Sequence, residues 1–126
     1  MRNNEIIKFS YKEHVMNDKE NTKQALVKKL KAGHYFWSYD LKSVKNIPDD
    51  ILIEMVMLHL DLNEINQLFD IYPYKKIKQC WIENLIPQGE YLYTLNKFFA
   101  WYYFKMKRPG IYVKSMITKQ LNKIGR

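Results

Sequence analysis

Between positions 92 and 106 the residues Leu92, Leu95, Phe99, Tyr102 and Met106 recur in steps of three, four, three and four. Side chains spaced that way share one face of an α-helix, whereas a strand would need alternation at every second residue. The spacing predicts a helix over 90–107, ended by Pro109-Gly110. Tyr91, Phe98 and Trp101 form a second apolar stripe on the same segment. Two stripes fit a central helix, or a helix with one side kept for a partner.

Four more helices follow from the same period. Asn17 or Asp18 can cap a first helix whose stripe is Ala25, Leu26 and Leu30, with Gly33 as its C-terminal stop. Pro48 opens a second, and Asp49 and Asp50 in its first turn suit the positive end of the helix dipole. Its residues Ile51 to Leu58 are apolar nearly all round, so it should be buried on several sides. Asp61 and Glu64 have the spacing of a capping box for a third helix, whose core face is Leu62, Ile65, Leu68 and Phe69. After Pro73, a fourth runs from Tyr74 to Leu85, with Tyr74, Ile77, Trp81 and Leu85 in line. Four glycines and four prolines leave few breaks elsewhere, which argues against a loop-rich or all-β chain. The expectation is an all-α chain: a compact single-domain bundle of about five helices containing a helix-turn-helix-like hairpin. Residues 1–16 read as a flexible N-terminal arm, 17–110 as the helical domain and 111–126 as a basic tail or short helix.

Charge is unevenly placed. The total is +8, yet residues 47–72 hold six acids and no lysine or arginine, while 73–126 hold eleven cations against two acids. Such a basic half is drawn to nucleic acid or to acidic protein surfaces, although a lysine-rich solvated face has the same composition. The lone cysteine, Cys80, cannot form an internal disulfide. No apolar run is long enough to span a bilayer, and the first twenty residues lack a signal-peptide core. The cytoplasm is the expected location, with no membrane partner.

Catalytic signatures are missing from the sequence. His14, His34 and His59 are scattered, so no metal-ligand spacing arises, and no nucleophile motif, phosphate loop or dinucleotide fingerprint is present. Asp50, Glu54 and Asp61 could line one helix face, but dipole and capping roles account for two of them. No catalytic residue, metal or cofactor is expected. The segment LNEINQLFDIYPYKKIKQCWIENL reads as helix, turn and basic helix. In a helix-turn-helix the start of the second helix enters the major groove, which makes Lys75, Lys76, Lys78 and Gln79 candidates for nucleic-acid or acidic-partner contact. The acidic helix before it opposes that reading, and any αα-hairpin shares the outline. The stretch GHYFWSYDL reads as a joint: Gly33 ends a helix, Phe36 and Trp37 plug the core, and Asp40 caps a turn. Tyr35 and Tyr39, on the other parity, join Tyr91, Phe98 and Trp101 as candidate protein-partner contacts.

Phe36-Trp37 with Asp40, the ILIEMV run, LNEINQLFDIY, KKIKQCW and TLNKFFAWYY together resemble a small bacterial family of unknown function. Its members share an FW-x-x-D start, an apolar helix, a leucine-aromatic-tyrosine segment, an Ile-Lys helix and a final Leu-Asn-x-Phe helix. The resemblance covers 35–104. A usual Arg-Gly turn is replaced here by His59-Leu60-Asp61, and a usual Tyr-Gly by Tyr72-Pro73. Such proteins are similar to partners of abortive-infection nucleotidyltransferase toxins. The resemblance therefore implies an antitoxin-like, non-enzymatic role with a nucleotidyltransferase toxin as protein partner. The runner-up is a helix-turn-helix regulator that binds DNA. The two readings are compatible.

Overall fold

The computed structural model describes residues 18–35 and 47–124, and every element among them is helical. The chain falls into two compact units, Met1–Pro73 and Tyr74–Arg126. The predicted arm 1–16 and the residues Phe36, Trp37, Tyr39 and Asp40 lie outside the described residues.

In the first unit, α1 covers 18–32, α2 covers Asp49–His59 and α3 covers Leu62–Ile71. Leu26, Val27 and Leu30 bury the inner face of α1. Its stop is built differently from the sequence expectation. The left-handed residue is His34, at φ 59°, and not Gly33. The amides of His34 and Tyr35 return to the carbonyls of Lys31 and Leu30, closing a Schellman turn. Gly33 is needed for space instead, because a Cβ there would collide with the Tyr35 ring. That ring lies parallel to His59 at 4.4 Å between centroids.

Leu52, Ile53, Met55, Val56 and Met57 are all buried, which is the outcome an almost wholly apolar helix requires. Asp49, the first residue of α2, accepts hydrogen bonds from Lys23 Nζ at 3.0 Å and from the Tyr72 hydroxyl at 2.7 Å. The capping box at the start of α3 does not form as expected. Asp61 occupies the N-cap with no side-chain hydrogen bond, and Glu64 Oε1 accepts instead from Lys29 Nζ at 2.8 Å. The tertiary ion pair is the main hold on this carboxylate, with backbone hydrogen bonding from Asp61 and from its own amide as smaller contributions. Ile65 and Leu68 are buried as their spacing predicts, but Leu62 is exposed.

In the second unit, α4 (Tyr74–Cys80) runs on through a π-helical turn (Trp81–Leu85) into a 3-10 segment (Ile86–Leu92). Then come α5 (Tyr93–Tyr102) and α6 (Pro109–Ile124). Helix α6 occupies most of the segment read as a basic tail or short helix. The core is Ile77, Trp81, Leu85, Ile86, Phe99, Ala100 and Val113, all buried. Trp81 is its centre, stacked on Phe104 at 4.5 Å and on Tyr112 at 6.1 Å. Its indole N–H donates to Asn96 Oδ1 at 3.0 Å, and Asn96 Nδ2 donates to the Leu85 carbonyl at 3.3 Å. Asn96 is thus the polar pin between α5 and the π-turn.

Helix α5 is shorter than its apolar period suggests. It starts after the break at Gly89, whose φ of 82° and ψ of −154° lie outside helical space. It ends where Lys105 turns left-handed (φ 52°), with the Met106 amide returning to the Ala100 carbonyl at 2.9 Å. The early stop lets Phe104 fold back onto Trp81. Tyr102, expected in the core stripe, is left 45% exposed.

Candidate interaction surfaces

Helix α5 buries Asn96, Phe99 and Ala100. At 100° per residue the opposite face holds Thr94, Lys97, Phe98, Trp101 and Tyr102. Trp101 is 60% exposed. It meets Phe98 and Tyr102 at tilted angles, 58° and 56°, and no ring among the described residues stacks parallel on it. Phe98 is half-buried and lies nearly parallel to Tyr102, 14° apart with centroids at 5.3 Å. Beside them Tyr103 is half-buried. Burial, with the neighbouring Tyr102, pushes its phenol up to about 12, so it is a neutral donor at physiological pH.

A second surface runs along α6. Glu90, Tyr93, Lys114, Ile117, Thr118 and Leu121 line a groove of about 570 Å³. Two ammonium groups lie over the Tyr93 ring, Lys97 Nζ at 5.3 Å and Lys114 Nζ at 5.5 Å from its centroid. Its hydroxyl reaches the spot where a Cβ on Gly110 would stand. Ile111 and Leu121 are each 63% exposed. Tyr91, at 90%, is the most exposed large hydrophobic side chain among the described residues of the unit. This groove escapes the sequence reading, because a segment read as a basic tail or short helix is given no apolar face. The signal was present in the spacing of Val113, Met116, Ile117 and Gln120, which fits a helix with one inner face.

The remaining predicted residues are placed as follows. Lys75, Lys76 and Gln79 are exposed on α4 and Lys78 is half-buried. Gln79 donates to Glu83 at 3.0 Å along its own helix. The division between the two units falls at Pro73/Tyr74, so the two helices of the predicted hairpin belong to different units. Tyr35 is half-buried against His59, whose pKa burial lowers. Glu54 is pushed up by burial and by the Asp50 carboxylate one turn away. No three His, Cys, Asp or Glu side chains come together as a metal-binding group among the described residues. No helix among them is long and apolar enough to cross a membrane. Comparison with protein-family models, with curated proteins and with solved structures finds no match.

Proposed function

We propose that the protein is a non-enzymatic binding module of the cytoplasm that restrains a protein partner in the manner of an antitoxin. The observation that carries this reading is the α6 groove, an apolar floor of Tyr93, Ile117 and Leu121 bordered by Lys97 and Lys114. Exposed aliphatic side chains gain nothing from water, and they gain about 25 cal/mol per Å² when a partner covers them. The two lysines outnumber the one lining acid, Glu90, and so favour an acidic partner surface over a basic one. The resemblance to partners of nucleotidyltransferase toxins supplies the class of partner: such a toxin carries carboxylates around its metal site. Occlusion follows simply, with apolar residues anchoring the contact and lysines pairing with acids that would otherwise serve the toxin.

The test is co-purification with a nucleotidyltransferase encoded beside it, together with rescue of toxin-induced growth arrest. Leu121→Glu and Ile111→Glu, both at exposed positions, should weaken association at least tenfold without unfolding the chain. No association and no rescue by the unaltered protein would sink the reading.

A DNA-binding reading rests on the exposed Lys75 and Lys76 at the start of α4. Alanine at Lys75, Lys76 and Lys78 should lower the salt slope of duplex binding by about two to three units if these lysines face phosphates. An unchanged slope would dismiss it.

A further inference from the structure

The chain after Glu90 contains eight lysines and arginines and not one acid. On that stretch α5 presents three rings, Phe98, Trp101 and Tyr102, away from the core. Exposed lysines lie before and after them: Lys97 one helical turn ahead of Trp101, and Lys105 at the left-handed stop three residues beyond Tyr102. From this arrangement we infer that the α5 face is a binding site for single-stranded nucleic acid, with bases stacking on Trp101 and Tyr102 and phosphates meeting the flanking cations.

Three features select this ligand. First, the exposed groups are flat and aromatic, unlike the aliphatic Ile111 and Leu121 of the α6 groove. Every base offers a π face, so such rings bind nucleic acid whatever its sequence. Second, Trp101 is 60% exposed and no ring among the described residues stacks parallel on it, which leaves indole surface open to a base. Phe98 backs Tyr102 in near-parallel contact and holds that ring against the helix. Third, an acid-free stretch of this length carries a strong excess of positive charge, which draws phosphates. A duplex satisfies the charge but not the rings, because its base faces are already stacked on one another. None of its rings lines the α6 groove, and only Lys97, whose ammonium lies over Tyr93, borders both, so the Trp101 variants test this site separately from the protein partner.

The probe is a fluorescein-labelled oligo(dT) or oligo(rU) of about 16 nucleotides, long enough to span a single-domain site, titrated with the full chain and read by anisotropy. Binding should weaken between roughly 50 and 200 mM salt. Trp101→Ala should weaken it on the order of five- to one-hundred-fold with the salt slope unchanged. Trp101→Phe should restore most of the affinity while abolishing oligonucleotide-induced tryptophan quenching. Lys97→Gln with Lys105→Gln should instead lower the slope, by about one to one and a half units. Trp101 is largely solvent-facing, so these variants should keep the wild-type circular dichroism. Equal binding by Trp101→Ala would overturn the proposal. So would equal affinity for a duplex of the same length, quenching that survives Trp101→Phe, or displacement by poly-aspartate at matched charge. The last result would mark the face as a site for acidic protein.

Discussion

Replacing Asn96 by leucine keeps the branching at Cγ and removes both polar atoms from a fully buried side chain. Two groups lose their partner. The Trp81 indole N–H, bonded at 3.0 Å, has no route to water because Trp81 is itself fully buried. An orphaned buried donor costs about 1–3 kcal/mol. The longer bond to the Leu85 carbonyl, at 3.3 Å, contributes about 0.5–1 kcal/mol. The added methyl groups gain some apolar burial, so the net loss should be about 2–3 kcal/mol. Against a total stability of about 5–15 kcal/mol that is large. With a urea m-value of about 1–3 kcal/mol/M, the midpoint should fall by about 1–2 M. The decisive arm is the double variant. Trp81→Phe alone orphans Asn96 Oδ1, but combined with Asn96→Leu it leaves neither group polar. The double loss should therefore be smaller than the sum of the singles by about 1–2 kcal/mol. If urea melts followed by far-ultraviolet circular dichroism give additive losses, or a neutral Asn96→Leu, the pin is not what joins α5 to the π-turn.

Three further outcomes follow from particular sites. Glu54→Gln should stabilise the protein at pH 7 by up to about 1 kcal/mol. The folded-state pKa of Glu54 is raised, so its contribution is favourable below about 4.5 and is lost as pH rises through the folded value. The gain should accordingly vanish in melts near pH 4. Gly89→Ala should cost about 1–3 kcal/mol through backbone strain alone, since nothing lies within 4 Å of its Cβ position. Asn should fail to rescue it, because a ψ of −154° is far from the left-handed helical region that asparagine tolerates. Gly110→Ala should come out within about 1 kcal/mol of neutral, a helix-propensity gain offset by the Tyr93 hydroxyl 2.8 Å from the new Cβ. Removing that hydroxyl with Tyr93→Phe should reveal the gain, making the double variant more stable than Tyr93→Phe in thermal melts.

Helices α2 and α4 were legible from sequence because their strongest cues are local: Pro48 before two aspartates, a run apolar on every side, and Ile77, Trp81 and Leu85 in register. Where reading failed, a tertiary partner had outbid the local one. Glu64 has capping-box spacing from Asp61, yet Lys29 of α1 is its main partner and the first reason its pKa is lowered, ahead of the backbone hydrogen bonding with Asp61. Gly33 looks like the left-handed stop of α1, but the Tyr35 ring needs the space and His34 takes the strained position. The Gly89 break and the left-handed Lys105 make α5 shorter than its apolar period. Phe104, from beyond the helix end, fills the core beside Trp81.

Helix α5 shows why its binding face was only half legible. Its residue types suggest Asn96 outside and Tyr102 inside, with Trp101 free to go either way. Position is decided instead by the Trp81 indole, which needs a buried acceptor and so draws Asn96 inward. Once Asn96 faces the core, the 100° step per residue carries Phe98, Trp101 and Tyr102 to the opposite side. The exposure of the aromatic face is therefore a geometric consequence of one buried hydrogen bond. A tryptophan displaced outward in this way adds little to stability, and Trp101→Ala should cost under about 1 kcal/mol, the range for surface changes. Large side chains kept exposed at so little structural benefit make sense where another molecule covers them. An unfolding loss above about 2 kcal/mol on Trp101→Ala would place that ring in the core and remove the basis for a binding face.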